Sequence, residues 1–316
     1  MTRARVAMIG AGGFARRHLE VLERIDASEV VGHAARRREA AEAQAARFGG
    51  RAFADVAEML DATRPDAAWI TLPPAAHGAP EIACVGRGVP FFVEKPLSAD
   101  LATAEAIASA VADRGLVAGV GYHWRAIDAV AEARAALAGR EVRLVRGSWH
   151  SSTPPPAWWQ RQETGGGQMV EQATHVLDLA RHLIGEAEVV SAVAPVVPRE
   201  RYPDSDVAAA SAALLRYRAG PVGVFTATCA LAGTAEVEVA FYAEGRRVVV
   251  DQHGVTIDDG GEVRLVRRRA DPVETEDRAF LAAVRAGDPR GPICSYADAL
   301  GTHRLAHAIR AAGEGG

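Results

Sequence analysis

The chain has little cysteine, no long apolar run and no strong excess of charge of either sign. Its three cysteines, Cys84, Cys229 and Cys294, lie far apart and form no C-x-x-C pair. Neither a disulfide framework nor a zinc site is therefore expected, and a reducing, cytoplasmic setting is the default. No apolar run reaches the roughly 18 residues that a membrane span needs, so no membrane partner is expected. The basic N-terminus leads into an apolar stretch that dissolves into glycines, unlike a signal peptide. A formal net charge of −4 offers no general attraction to nucleic acid. What remains is a chain of 316 residues, 49% apolar and 24% charged, enough for two globular domains with separate cores.

The most informative stretch is at the N-terminus. An apolar run, Val6-Ala7-Met8-Ile9, meets Gly10-Ala11-Gly12-Gly13-Phe14-Ala15, and a helical pattern follows from Arg16. This is strand, glycine turn and helix with G-x-G-x-x-G/A spacing, the pattern of a dinucleotide-binding βα unit. Gly10 permits unusual dihedrals at the turn. Gly12 lets the backbone approach a pyrophosphate, and Ala15 is small enough for the helix to pack on the strand. The helix N-terminus supplies N–H groups and a positive dipole end to phosphates.

The first third alternates strands with helices. Apolar runs recur at Val6–Ile9, Val30–Val31, Ala67–Leu72, Val89–Val93 and Leu116–Val120. Helical patterns lie between them near Arg38–Phe48, Val56–Ala62, Ala79–Gly86 and Ala102–Arg114. This predicts a parallel sheet with helices on both faces. After about residue 123 the rhythm changes. A helix at Ala129–Leu137, a strand from Val142, a Pro/Gly/Trp-rich loop over Ser151–Gln168 and one long helix over Met169–Ile184 are expected. Strand patterns then dominate as far as Val266, and two helices near Val273–Ala286 and Tyr296–Ala311 close the chain. The predicted fold is α/β: a Rossmann domain over residues 1–122, and over 123–316 a substrate-binding and oligomerisation domain on a mostly antiparallel sheet.

The end of the second strand bears on cofactor choice. A dinucleotide unit that binds NAD carries an Asp or Glu there for the ribose hydroxyls. Here Ala35 is followed by Arg36, Arg37 and Arg38, so the acid is absent and guanidiniums stand where a 2′-phosphate would sit. NADP is the expected cofactor, with NAD possible.

Two segments carry the chemistry. Phe91-Phe92-Val93 delivers Glu94, Lys95 and Pro96 to a strand end, where ligands sit in open α/β sheets. A lysine there is suited to donate a hydrogen bond or proton to a reacting oxygen. A surface Glu–Lys pair is the bland alternative. On the helix after Gly167, Val170, Ala173, Leu177, Ala180 and Ile184 form an apolar stripe, and Glu171, His175, Asp178 and His182 fall on the opposite face. Read alone, that face is solvated. Its acid–His–acid series also suits a proton relay or, as an alternative, metal ligands. No metal is expected.

These motifs in this order resemble the glucose–fructose oxidoreductase/inositol dehydrogenase/MocA family over nearly the full length. The resemblance rests on Gly10 to His18, Thr71-Leu72-Pro73-Pro74-Ala75-Ala76-His77, Glu94-Lys95-Pro96, and Gly165-Gly166-Gly167 followed by Glu171, His175 and Asp178. The tail Glu276-Asp277-Arg278-Ala279-Phe280 has the family look as well.

The resemblance implies hydride transfer between the nicotinamide and a carbinol or carbonyl carbon of a sugar, cyclitol or related polyol. It assigns Lys95 and His175 as catalytic, with Glu171 orienting the histidine. It puts Gly10, Gly12, Gly13, Phe14, Ala15, Ala35, Arg36, Arg37, Thr71, Leu72, Pro73, His77, Glu94 and Lys95 at the cofactor. Tyr122, His123, Arg125, Trp158 and Gln172 are the expected substrate contacts. Glu171 stands where the family has Asp, and Ala173 where it has Gly. A homodimer or homotetramer through the C-terminal sheet is implied. Two other classes stand beside this reading: a non-catalytic NAD(P)-binding regulator, and a net non-redox enzyme with tightly held cofactor that cleaves glycosides or epimerises.

Overall fold

The structure is a computed structural model and describes residues 3–314. It divides into two compact units. The first comprises the residues up to Ser98, Ala102–His123 and Pro272–Leu300; the second comprises Ala99–Leu101, Trp124–Asp271 and the residues from Gly301.

The first unit alternates strands and helices: β1 (Ala4–Ile9), α1 (Gly13–Arg24), β2 (Ser28–Ala34), α2 (Arg38–Phe48), β3 (Arg51–Phe53), α3 (Val56–Thr63), β4 (Ala67–Ile70), α4 (Ala79–Arg87), β5 (Phe91–Val93), α5 (Leu101–Arg114) and β6 (Ala118–Val120). All strand pairs are parallel, in the order β3-β2-β1-β4-β5-β6. That is the doubly wound order, whose direction reverses beside β1 and opens a ligand crevice at the carboxyl ends. The ladder runs one residue past the strands at that edge: Gly10 N–H donates to Ala34 O, Thr71 N–H to Ile9 O, Glu94 N–H to Ile70 O and Gly121 N–H to Val93 O. Four sequence-distant positions are thereby aligned along one edge.

The second unit holds α6 (Val130–Leu137), β7 (Val142–Ser152), α7 (Gln162–Gly165), α8 (Gln168–Glu171), α9 (Thr174–Ile184), β8 (Ala187–Val193), β9 (Ala210–Tyr217), β10 (Val222–Leu231), β11 (Glu236–Ala243), β12 (Arg246–Asp251), β13 (Gly254–Asp258) and β14 (Val263–Arg267). Its eight strands run β14-β13-β12-β11-β7-β10-β9-β8, with β7–β10 as the parallel pair and the remaining pairs antiparallel. Alternation along β9 puts Ala213, Leu215 and Tyr217 into a core with Val176, Leu177 and Leu179 of α9, and leaves Leu214 on the other face exposed.

After β14 the chain forms α10 (Pro272–Ala286) and then α11 (Tyr296–Glu314). A division at residue 122/123 put α10 in the second domain, but α10 packs in the first unit. Its apolar stripe supplies Val273, Phe280 and Leu281 to a core with Trp69, Phe92 and Leu19. Each such large apolar side chain stabilises the unit by about 1.5–3 kcal/mol, and that burial outweighs sequence order.

The expected long helix over Met169–Ile184 is two helices. The chain unwinds at Gln172, and the Ala173 N–H reaches back to the Gln168 carbonyl. Strand β3 went unrecognised because three residues with one buried side chain carry no usable period.

Candidate active site

The glycine turn has the geometry its residue types imply. Gly10 has φ +112°, and a Cβ there would lie 2.6 Å from the Thr71 carbonyl oxygen. No larger residue fits this close crossing of β1 and β4 ends. Gly12 and Gly13 differ: a Cβ at either would meet no protein atom within 4 Å. Their lack of side chains keeps open a space beyond the protein, in front of α1. That helix begins without a side-chain cap and without an acid in its first turn, so its N–H groups are directed outward. The cradle fits a pyrophosphate. Arg36 and Arg37 are exposed between β2 and α2, while Arg38 donates to Glu42 at 3.0 Å one turn along its own helix.

Strand β5 ends at Glu94, which is buried, and the half-buried Lys95 precedes Pro96 across a cis peptide bond. Lys95 is the single lysine of the chain; every other member of its 36 lysines and arginines is arginine. An arginine supplies positive charge at least as well, but a guanidinium does not give up a proton at ordinary pH, whereas an amine does. A chain that uses arginine at all other cationic positions keeps an amine at this strand end.

Under Lys95 lies a buried polar cluster. His18 of α1 is fully buried, with Nδ1 3.0 Å from both Asp277 carboxylate oxygens and Nε2 3.0 Å from Glu94 Oε1. Trp69 Nε1–H donates to Asp277 Oδ1 at 2.8 Å. The Lys95 backbone N–H donates to Glu94 Oε2 at 3.2 Å. A Cβ on Gly121 would come within 2.5 Å of Glu94 Oε1, so the carboxylate lies against bare backbone. Burial alone would lower the His18 pKa, but Asp277 and then Glu94 outweigh it and hold it well above the usual imidazole range. At His123 burial outweighs the opposing charge of Glu94 and pushes the pKa down to about 4.

In the second unit His175 is buried, at 4% exposure, on α9. Its ring stacks near-parallel with Trp149 at 5.8 Å and Trp124 at 6.3 Å. Asp178, fully buried, accepts from Arg125 Nε at 2.7 Å and Nη2 at 2.6 Å, and from Thr302 Oγ1 at 2.7 Å. Trp159 Nε1–H donates to Glu171 Oε2 at 2.7 Å. The helix face read as solvated is thus a second interior face. The broken helix places Glu171 and His175 on different helices, so simple one-turn spacing does not describe them.

Several expected site residues have other engagements. Arg125, expected at the substrate, forms the buried ion pair with Asp178. His77, expected at the cofactor, hydrogen-bonds Glu81 at 2.6 Å and the Leu72 carbonyl at 3.2 Å, and so ties down its own loop. Thr71 is buried with its hydroxyl on Ile9 O, whereas Leu72 and Pro73 are at least partly exposed. Tyr122 is buried and His123 half-buried in the first unit. Gln172 is buried beside Gln168 Nε2. Trp159 packs with Val207 and Cys229, and Trp158 lies half-buried against that cluster.

The metal alternative on Glu171, His175, Asp178 and His182 has no support. Among the described residues the one group with ligand spacing is His18, Glu94 and Glu276, and there both imidazole nitrogens already face carboxylates.

Comparison with known proteins decides the family. A model described as an oxidoreductase family with an NAD-binding Rossmann fold matches residues 4–122, and the GFO/IDH/MocA C-terminal domain matches residues 131–249. The chain belongs to the GFO/IDH/MocA family of NAD(P)-dependent oxidoreductases. Among its relatives is a 4-carboxy-2-hydroxymuconate-6-semialdehyde dehydrogenase of Sphingobium sp. (strain NBRC 103272 / SYK-6), 26% identical over 95% of this chain and 96% of that protein. The UDP-N-acetylglucosamine 3-dehydrogenase of Acidithiobacillus ferrooxidans superposes with a TM-score of 0.85 at 25% identity, over 100% of this chain and 99% of the other. A 3-ketoreductase of Actinomadura kijaniata, in complex with NADP and TDP-benzene, gives a TM-score of 0.86 at 25% identity over 98% of each chain. Among the described residues no helix is long and apolar enough to cross a membrane.

Sequence reasoning missed the partners of both histidines. His18 and Asp277 each interrupt an apolar helical stripe: Ala15, His18, Leu19, Leu22 on α1, and Val273, Asp277, Phe280, Leu281 on α10. A titratable residue inside such a stripe was the available signal. Nothing local marked Trp124 and Trp149 as the rings packed beside His175.

Proposed function

We propose that this protein transfers hydride reversibly between NADP and a carbinol or carbonyl carbon of a sugar, cyclitol or related polyol. The observation that carries the reading is the sole lysine, at the end of β5 on the sheet edge that also bears the glycine turn. The nicotinamide supplies or accepts the hydride when bound. Backbone N–H groups at Gly12–Ala15 hold the pyrophosphate, and Arg36 and Arg37 engage a ribose phosphate. Lys95 hydrogen-bonds the reacting oxygen and stabilises its developing charge. His175 exchanges the hydroxyl proton.

The test is a screen of NADP and NAD against sugars, inositols, keto-sugars and semialdehydes, read by the absorbance of reduced nicotinamide. Stoichiometric cofactor turnover with a polyol supports the reading. Cofactor binding without turnover of any of them refutes it.

Two further parts belong to this reading. The open face of the eight-stranded sheet, where Leu214 and Val222 are exposed, is a subunit interface that makes a homodimer or homotetramer. Light scattering at monomer mass would overturn it. Three buried cysteines without disulfides fit a reducing, cytoplasmic compartment.

A further inference from the structure

We propose that Asp277 and His18 are positioning residues that act through Glu94 on Lys95. The inference rests on the catalytic role of Lys95 proposed above. It starts from one continuous chain of contacts in the first unit. The Asp277 carboxylate meets His18 Nδ1 at 3.0 Å, His18 Nε2 meets Glu94 Oε1 at 3.0 Å, and Glu94 Oε2 accepts the Lys95 backbone N–H at 3.2 Å. The chain links α10, α1 and the β5 end, with His18 and Asp277 fully enclosed.

The chemistry of the donors fixes the protonation. A neutral imidazole has one N–H, and each carboxylate here accepts. Two carboxylates bonded to both nitrogens call for the imidazolium. The charged groups around it are Asp277 and Glu276 from α10, Glu94 from the end of β5, and His123, which follows β6 and is kept neutral by burial near neutral pH. A cation held between two buried carboxylates cannot rotate without leaving one unpaired, which is strongly unfavourable. Trp69 Nε1–H on Asp277 and the Phe92 ring, edge-on to His18 at 5.4 Å, restrict it further. The Glu94 carboxylate is confined on its other side by Gly121, where any Cβ would collide with it.

Glu94 therefore has one position, set by His18, and it presents its second oxygen to the amide of Lys95. The turn that carries the lysine is anchored by side chains from three separate elements. The same helix that opens the phosphate cradle at Gly12–Ala15 carries His18 one turn further along, so α1 ties the Lys95 turn to the cradle.

The sole lysine makes the idea testable without knowing the substrate. Reductive ¹³C-methylation of the intact protein gives one side-chain dimethyl-lysine resonance, from Lys95, besides the N-terminus. In His18→Gln and Asp277→Asn the Lys95 resonance is expected to shift, and its titration midpoint to move by about half a unit or more, in protein that remains folded by circular dichroism. An unmoved resonance and midpoint in either folded variant would overturn the proposal. If neither variant folds, the parent decides. The ¹⁵N signals of His18 near pH 7 are expected to be those of a doubly protonated ring, and a singly protonated ring would overturn the relay. With any polyol that the parent turns over, His18→Gln is expected to lower turnover about tenfold or more. The same change is expected to cost nothing further in a Lys95→Ala background. Equal fold-losses in both backgrounds would show that His18 acts on stability alone. Absence of all polyol turnover would refute the functional reading while leaving the resonance test of the relay intact.

Discussion

Two buried histidines, one in each unit, have opposite surroundings. His18 lies between two carboxylates, which take both nitrogens and hold the proton on the ring. His175 lies beside two indoles, Trp149 at 5.8 Å and Trp124 at 6.3 Å, which are 6.4 Å from each other, so the three rings form one aromatic cluster. Burial is nearly the same for both. What differs is the kind of group packed on the ring, carboxylates at His18 and indoles at His175. A ring clamped through its nitrogens is a fixed cation and a poor proton exchanger. Exposure alone, which is the usual proxy for function, would not separate them.

Phenylalanine placed at each position is the sharpest way to break this contrast. His175→Phe keeps an aromatic ring in the cluster with Trp124 and Trp149, so stability should stay within about 1 kcal/mol. It removes the proton acceptor, so turnover should fall ~10²–10⁴-fold. His18→Phe should do the reverse of sparing the fold: it leaves Glu94 and Asp277 buried without their cation and should cost about 3–5 kcal/mol. Denaturant melts and cofactor-linked turnover of both variants provide the check. Equal destabilisation at the two sites would show that the surroundings do not differ in kind.

Lys95→Arg extends the contrast to proton exchange. It preserves charge but not the ability to release a proton. Turnover should drop by about 10³-fold, with NADPH binding retained in a fluorescence titration. Activity near the parent's would mean that charge alone is needed there.

The pH dependence of stability sharpens the comparison within the first unit, where His18 and His123 shift in opposite directions. The raised pKa of His18 means its contribution is complete below the unfolded value near 6.5 and is lost as pH rises through the folded value. His123, pushed down to about 4, contributes above 6.5 and loses about 3 kcal/mol as pH falls toward 4. His123→Gln should flatten only the acid limb, measured as unfolding free energy against pH relative to the parent. Asp277→Asn should flatten only the alkaline limb. A variant that alters both limbs equally would contradict the assignment.

The smallest effect is expected at the periphery. Arg36→Ala/Arg37→Ala should reduce the preference for NADPH over NADH by about tenfold, since each exposed charge-assisted contact contributes roughly a kilocalorie. Dissociation constants for both cofactors provide the measurement. Equal affinities in the parent would remove the NADP assignment.

Much of the first unit was legible because its signals are local. Gly10, the apolar run before it and the helical pattern after it are adjacent in the chain, and each states its own geometry. The same holds for the β5 run that ends at Glu94-Lys95-Pro96. Within the second unit, alternation along β9 and β10 was readable. The break at Gln172 was not, because it reflects how α8 and α9 pack rather than a breaker residue. Arg125 and His77 read as free polar groups near motifs, yet their partners, Asp178 and Glu81, hold them in place. The singleness of Lys95 is plain in the composition, and its meaning follows only beside the many arginines.

By itself the sequence determined the parallel alternation, the cradle, the candidate catalytic lysine and the family. These depend on residue order and on backbone freedom within a few positions. Only the tertiary structure decided that α10 returns to the first unit, that α1 and α10 meet at His18, and that Trp124 and Trp149 pack beside His175. The physical reason is that partners for buried polar and aromatic groups are chosen by burial and pairing in space. Asp277 lies 259 positions from His18, and nothing in either local pattern states that the two will share a proton.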